Sequence, residues 1–141
     1  MESNLVQFDL VSPERLLVSE AYDMVVVPGS EGDFGVLPRH APMIATLRPG
    51  VIDIYENGVI SERLFVAGGF AEVTPERLTV LAEEAIPLSD IDSDATKTRL
   101  KTAKEAFEAA DTDAARAEAE AEVGIAEAML AAIAKMDGVR H

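Results

Sequence analysis

No cysteine occurs in the 141-residue sequence, which removes a disulfide framework, a thiolate nucleophile and a thiolate metal site from consideration. Histidine is nearly as scarce. Only His40 and the terminal His141 are present, so a zinc site would fall to carboxylates alone, a poor donor set for that metal. Positive charge is short as well: 12 Lys and Arg stand against 26 Asp and Glu, for a net charge of −14. Phosphate recognition needs clustered bases, so this balance argues against a nucleic-acid partner and against direct adhesion to an anionic membrane. No apolar run approaches the roughly 20 residues that span a bilayer. The opening MESNLVQF lacks a basic, then apolar, targeting pattern, so no leader and no membrane insertion are expected.

What is there falls into two halves with different periods. Over residues 1–87 short β-like runs alternate with turn residues. In Val6, Phe8 and Leu10 the apolar positions are separated by Gln7 and Asp9, the period of a half-buried strand. Arg15 to Tyr22, Met24 to Val27, Met43 to Leu47 and Val51 to Tyr55 are further candidates. Asn57-Gly58 supplies two positive-φ positions, which predicts that Val51–Glu56 pairs with Val59–Val66. Pro75-Glu76 is expected to turn Phe70–Thr74 back onto Leu78–Ala82. Short strands without intervening helices predict an all-β, antiparallel N-terminal sandwich.

Over residues 88–141 the spacing becomes helical. Leu100, Ala103, Phe107 and Ala110 form one stripe, and Ala114, Ala117, Ala121, Ile125, Met129, Ala132 and Met136 a second. Asp111, Thr112 and Asp113 are N-cap candidates between them, and Gly138 is placed as a C-cap. This predicts a C-terminal antiparallel α-helix hairpin. Alanine favours helix but buries little apolar area, so such a hairpin gains little from its own packing.

The most shaped stretch is Val27 to Met43, VPGSEGDFGVLPRHAPM, with glycines at 29, 32 and 35. It resembles a phosphate cradle only in its glycines. A P-loop needs a Lys and a hydroxyl at the opening of a helix, whereas this segment continues into Val36-Leu37-Pro38 and carries Glu31 and Asp33. His40, alone between Arg39 and Ala41-Pro42, reads as structural or interfacial and not as a general base. Neither a nucleophile elbow nor a triad is present. Adjacent acids such as Glu83-Glu84, and the run Glu118, Glu120, Glu122, read as solvated faces in so acidic a chain.

The order of these features resembles the epsilon subunit of the F-type ATP synthase over nearly the whole chain. The resemblance rests on Gly29-Ser30-Glu31-Gly32 with Gly35, on Pro38-Arg39-His40-Ala41-Pro42, on Leu47-Arg48-Pro49-Gly50 and on Val66-Ala67-Gly68-Gly69-Phe70. It implies a non-catalytic central-stalk subunit at the cytoplasmic face of the bacterial inner membrane. The sandwich is then expected to hold the gamma subunit and rest on the c-ring, and the hairpin to reach the alpha and beta subunits. Glu31, Asp33, Arg39 and His40 become the expected partner contacts, with Glu31, Asp33 and His40 held together on one rigid frame.

Two departures from the family pattern alter what is expected of the hairpin. Some bacterial members bind ATP through I-D-x-x-R-A, whereas here Ile91-Asp92 is followed by Ser93, Asp94 and then Ala95 where the arginine would stand. Weak or absent ATP binding follows, with no cofactor. The second helix should bring bases to an acidic partner, yet from Asp113 to Asp137 only Arg116 and Lys135 stand against six acids. Inhibition of ATP hydrolysis by this arm is therefore expected to be feeble. A different class of reading, a free-standing acidic adaptor for a basic protein, shares the same architecture; an enzyme built on His40 requires a concave site around it.

Overall fold

The computed structural model describes residues 4–139, and among them the chain forms ten strands, a short 3-10 helix at Leu88–Asp90 and two α-helices. Two compact units divide between Pro87 and Leu88. In the first, β1 (Val6–Val11) and β2 (Leu16–Tyr22) are followed by β3 (Met24–Gly29), β4 (Gly32–Val36) and β5 (Met43–Leu47). The strands β6 (Gly50–Glu56), β7 (Val59–Val66), β8 (Gly69–Val73), β9 (Arg77–Ala82) and β10 (Ala85–Pro87) complete it. Their pairing order is β10-β7-β6-β3-β5-β8-β9-β1-β2, with β4 on β3. One continuous ladder thus makes both layers, and β3 is where it turns from one to the other.

That turn is visible in the register. Val25 and Val26 of β3 pair with Ile54 and Asp53 of β6, but Gly29, three residues on, pairs with Leu47 of β5. Alternate residues of both layers point inward. Val6, Phe8, Leu10, Val25, Val27, Ile52, Ile54, Val73, Leu78 and Val80 are buried, and this apolar burial is the main stabilising term of the unit. The hairpins expected at Asn57-Gly58 and Pro75-Glu76 both form. Asn57 and Gly58 have φ of 54° and 81°, the two positive values that match the twist of the flanking strands.

Two findings depart from the sequence-based reading. The segment expected as a loop between Val27 and Met43 is mostly a β-hairpin, since β3 runs on to Gly29 and β4 returns from Gly32. In addition one pair is parallel: β1 lies along β9 with Gln7 opposite Arg77 and Asp9 opposite Thr79. Local turn chemistry cannot announce a pairing whose partners are about 70 residues apart.

An ion pair secures the parallel seam. Asp9 is nearly buried and accepts hydrogen bonds from Gln7 Nε2 at 3.1 Å, Ser19 Oγ at 2.8 Å and the Arg77 guanidinium. Burial by itself would raise this carboxyl's pKa. The bonds from Gln7 and Ser19 and the charge of Arg77 outweigh it and hold the carboxyl below its ordinary 3.8.

The second unit is an antiparallel pair, α1 (Ser93–Ala109) and α2 (Asp113–Val139). Asp92 caps α1, its carboxylate accepting from the amides of Asp94 at 2.9 Å and Ala95 at 3.3 Å. Of the three candidates at the break, Thr112 caps α2, with its Oγ1 accepting from Ala115 N at 3.0 Å. Among the described residues of α2, Ala119, Ala126 and Met129 are buried; of the expected stripe Met129 is thus inside, whereas Ala114, Ala117 and Ala121 are exposed. Arg99 of α1 reaches Glu122 and lies 3.7 Å from Met129 Sδ, so those residues face α1 and Glu122, though half-exposed, is tied to the other helix. In a helix so rich in alanine the larger and charged side chains choose the face. α2 also passes through Gly138, which is not its C-cap; glycine permits the left-handed cap without imposing it.

A stability consequence follows from Asp9. Its folded-state pKa is depressed, so its contribution is complete above the ordinary carboxyl pKa of 3.8 and is lost as pH falls through the lower folded value. Asp9→Asn should cost about 1–3 kcal/mol at pH 7, the loss expected for a buried charged hydrogen-bond network. Denaturant unfolding at pH 7 and pH 3 checks this: the deficit should shrink at pH 3, and an equal deficit at both values would exclude the mechanism.

Candidate interaction surface

The side chains that could meet a partner gather at the end of the sandwich where β3 changes layer. There Gly29 lies with β4 on one edge and β5 on the other. A Cβ at Gly29 would sit 2.6 Å from the Gly32 carbonyl oxygen, so the backbone approach itself demands glycine. Residues Ser30 and Glu31 form the two-residue turn, and Ser30 N donates to Thr46 O at 2.8 Å. Arg48, just past β5, closes the corner: its backbone N donates to Pro28 O at 2.9 Å, and its guanidinium donates at 2.6 Å both to Gly29 O and to Asp33 Oδ1. Sequence reasoning used Arg48 only as part of a family pattern. The signal for its role lay in register, which places Leu47 opposite Gly29.

The outer face of the layer β5-β8-β9-β1-β2 carries an apolar row at this same end. Successive register partners place Thr46 beside Phe70, Phe70 beside Leu81, Leu81 beside Val11 and Val11 beside Leu16. Phe70, Leu81 and Leu16 are 55%, 52% and 57% exposed, and Ile44 in the neighbouring row is 75% exposed. Four strands therefore present large apolar side chains in line, the kind of patch that marks a protein interface. Gly69 makes the row possible. Its φ is 136° and a Cβ would lie 1.9 Å from Leu81 O, so β8 and β9 approach closely where Phe70 meets Leu81.

The four expected contact residues do not share one surface. Glu31 and Asp33 sit at the Gly29 end, whereas β4 carries the chain away, pairing Val36 with Val25, before Arg39 and His40 are reached. Five strand residues at about 3.3 Å each separate the two pairs by roughly 15 Å. A hairpin necessarily returns the chain to the end from which it came, which is why a compact string in sequence becomes two ends in space. Within each pair the roles differ. Asp33 is bound to Arg48, while Glu31 is exposed on the turn and makes no ion pair among the described residues.

At the opposite end, Arg39 takes a left-handed φ of 63° and its backbone N donates to Pro75 O at 2.8 Å. His40 Nδ1 lies 2.8 Å from Ala41 O, and because a carbonyl only accepts, this contact puts a proton on Nδ1. A shallow cleft of about 410 Å³ lies beside them, lined by Gln7, Pro38, Arg39, Pro75 and Glu76 among others, and His40 is not among its walls. Among the described residues no group of three or more His, Cys, Asp or Glu side chains could hold a metal ion.

In the second unit, Asp92 and Ala95 are used in the N-cap of α1, where the Asp92 carboxylate occupies the amides that open the helix. No helix among the described residues is long and apolar enough to cross a membrane. Asp92→Ala should lower the stability of the hairpin by about 0.5–2 kcal/mol through loss of the cap. The measurement is helix-specific amide exchange in α1, and unchanged protection of Asp94 and Ala95 would contradict it.

Known proteins carry the same arrangement. The ATP synthase, Delta/Epsilon chain, beta-sandwich domain matches residues 5–88. An ATP synthase epsilon chain from Paramagnetospirillum magneticum is 58% identical over 129 residues, covering 92% of this chain and 97% of the relative. That of Rhodospirillum rubrum is 55% identical, covering 89% and 94%. Among solved structures, a chain of the Euglena gracilis mitochondrial ATP synthase, in an OSCP/F1/c-ring assembly, superposes with a TM-score of 0.79 at 25% identity, over 93% of this chain and 82% of that one. A chain of the Tetrahymena thermophila mitochondrial central stalk and c-ring superposes at 0.67 with 13% identity, covering 91% and 96%, a likeness of fold. With the family's sandwich domain matched over residues 5–88 and relatives at more than half identity covering nearly the whole chain, this chain belongs to the epsilon chain family of ATP synthase.

Proposed function

We propose that the protein is a non-catalytic rotor subunit that joins gamma to the c-ring in the central stalk, at the cytoplasmic face of the bacterial inner membrane. The observation that carries this reading is the apolar row Phe70-Leu81-Val11-Leu16, an uncovered patch in a member of a family whose solved relative stands in an F1/c-ring assembly. Gamma is its occupant. Apolar contact supplies the affinity there.

Residues 1–87 act as the docking unit and 88–141 as the arm. On the sandwich, Glu31 with Asp33 at one end and Arg39 with His40 at the other make two separate contacts, not one. The Glu31 end faces the polar loops of the c-ring, where an exposed carboxylate on a tight turn fits a partner offering Arg or Lys. The Arg39 end belongs to gamma.

For the arm, the geometry favours a silent nucleotide position. The residue at 95 is alanine, and Asp92 is committed to the helix cap. Among the described residues of α2, Arg116 already pairs with Asp113 at 3.1 Å, which leaves an acidic helix to meet an acidic partner. Coulomb repulsion then opposes inhibition.

Three measurements test these assignments. Phe70→Asp with Leu81→Asp should weaken co-purification with gamma by at least about tenfold, or about 1.4 kcal/mol, while the isolated protein remains folded; full retention of gamma would remove the apolar row from the interface. Isothermal titration of the isolated protein with ATP should give no saturable binding, and a micromolar constant would overturn the silent position. Deleting residues 90–141 should leave ATPase activity of the assembled complex nearly unchanged, and strong activation would refute the feeble arm.

A further inference from the structure

We infer that Arg48 is a positioning residue for coupling: it holds the Ser30-Glu31 turn in the geometry in which Glu31 meets a cationic group of the ring. The inference rests on the proposed c-ring contact and adds to it the residue that makes the contact rigid. Three elements converge on this one side chain. Its guanidinium donates to the carbonyl of Gly29, the last residue of β3, and to the carboxylate of Asp33 in β4, both at 2.6 Å, while its own backbone N holds Pro28 O from the end of β5. The turn is therefore gripped on both shoulders.

The grip has an electrostatic consequence. Asp33, although exposed, is paired within the chain, so Glu31 is the acid of this turn left without an ion-pair partner among the described residues. A single carboxylate on a fixed turn discriminates the register of an opposing cation. Two acids on a loose loop would be attracted to any basic surface and would transmit force poorly, because ordering the loop would use up part of the contact's free energy. Exposed ion pairs in general contribute little stability, so a side chain spent on this one is better accounted for by geometry than by folding energy. Arginine suits the task because its planar fork reaches two acceptors at once, which the lysine ammonium does not reproduce.

The test uses the assembled ATP synthase with Arg48→Ala, Arg48→Lys, Asp33→Asn and Glu31→Gln in this subunit. Amide exchange at Ser30 and Glu31, gamma co-purification, and protons pumped per ATP hydrolysed are read for each. Arg48→Ala should speed exchange of the turn by about tenfold, as expected for losing charge-assisted hydrogen bonds, and lower the pumping ratio with gamma retained. Arg48→Lys should restore only part of both, and Asp33→Asn should shift both in the same direction by less. Should Arg48→Ala fail to assemble, Asp33→Asn removes one arm of the grip without removing the arginine and decides the matter alone. A loosened turn with unchanged pumping, or lowered pumping with unchanged exchange, overturns the inference. Glu31→Gln separates the two levels: if it leaves pumping intact while the Arg48 variants lower it, the c-ring contact fails and the inference falls with it; if all leave it intact, both fail on coupling while gamma retention still stands.

Discussion

Every layer of this sandwich depends on β3 being able to change partners within a few residues. Its first half is a strand of one layer, paired to β6, and its last residue is paired to β5 of the other. The geometry requires backbones nearer to one another than side chains allow. At Gly29 a Cβ would lie 2.6 Å from Gly32 O, and at Gly50 a Cβ would lie 2.9 Å from Pro28 Cβ. Pro28 fits because its carbonyl is the group in use, accepting from Arg48 N. Without that corner the inward faces of the two layers would have no shared ladder, and the core from Val6 to Ala82 would close by packing alone.

Charge is managed in the same economical way. Positive residues are few, and arginines are placed as internal ties: Arg48 to Asp33, Arg63 to Asp53, Arg77 to Asp9, Arg99 to Glu122 and Arg116 to Asp113. Several of these join strands or helices far apart in sequence. The Arg77 tie closes the parallel seam, and the Arg99 tie crosses between the two helices. With 26 acids against 12 bases and several of the arginines already paired within the chain, complementary charge favours basic partners and rejects acidic ones. The apolar row on the outer face of β8 and β9 stands against this acidic background, which is why it is distinct as a surface.

The two units differ in how firmly they are built. Branched and aromatic side chains fill the sandwich, whereas alanines and Met129 make up most of what is buried in the helix pair. Less apolar area removed from water means less stabilisation. Caps at Asp92 and Thr112 and the Arg99–Glu122 pair therefore carry a larger share of the hairpin's order than such features do in a well-filled core. A structure of this kind responds to single polar substitutions.

Fold class, the Asn57-Gly58 hairpin and the helical arm were legible from residue order, because each arises from local chemistry: period, turn residues and caps. The first half of the α2 stripe, Ala114, Ala117 and Ala121, was misread because alanines do not distinguish one helix face from another, whereas Ile125, Met129, Ala132 and Met136 are buried or half-buried as expected. The parallel β1–β9 seam, the corner at Gly29, the grip of Arg48 on two strands and the alignment of Phe70, Leu81, Val11 and Leu16 were decided only on folding. So was the separation of Glu31 from His40, nine residues apart in the chain yet at opposite ends of the sandwich. All of these depend on register between distant strands, and register is set by how two layers enclose a common core, a quantity that no single stretch of the chain contains.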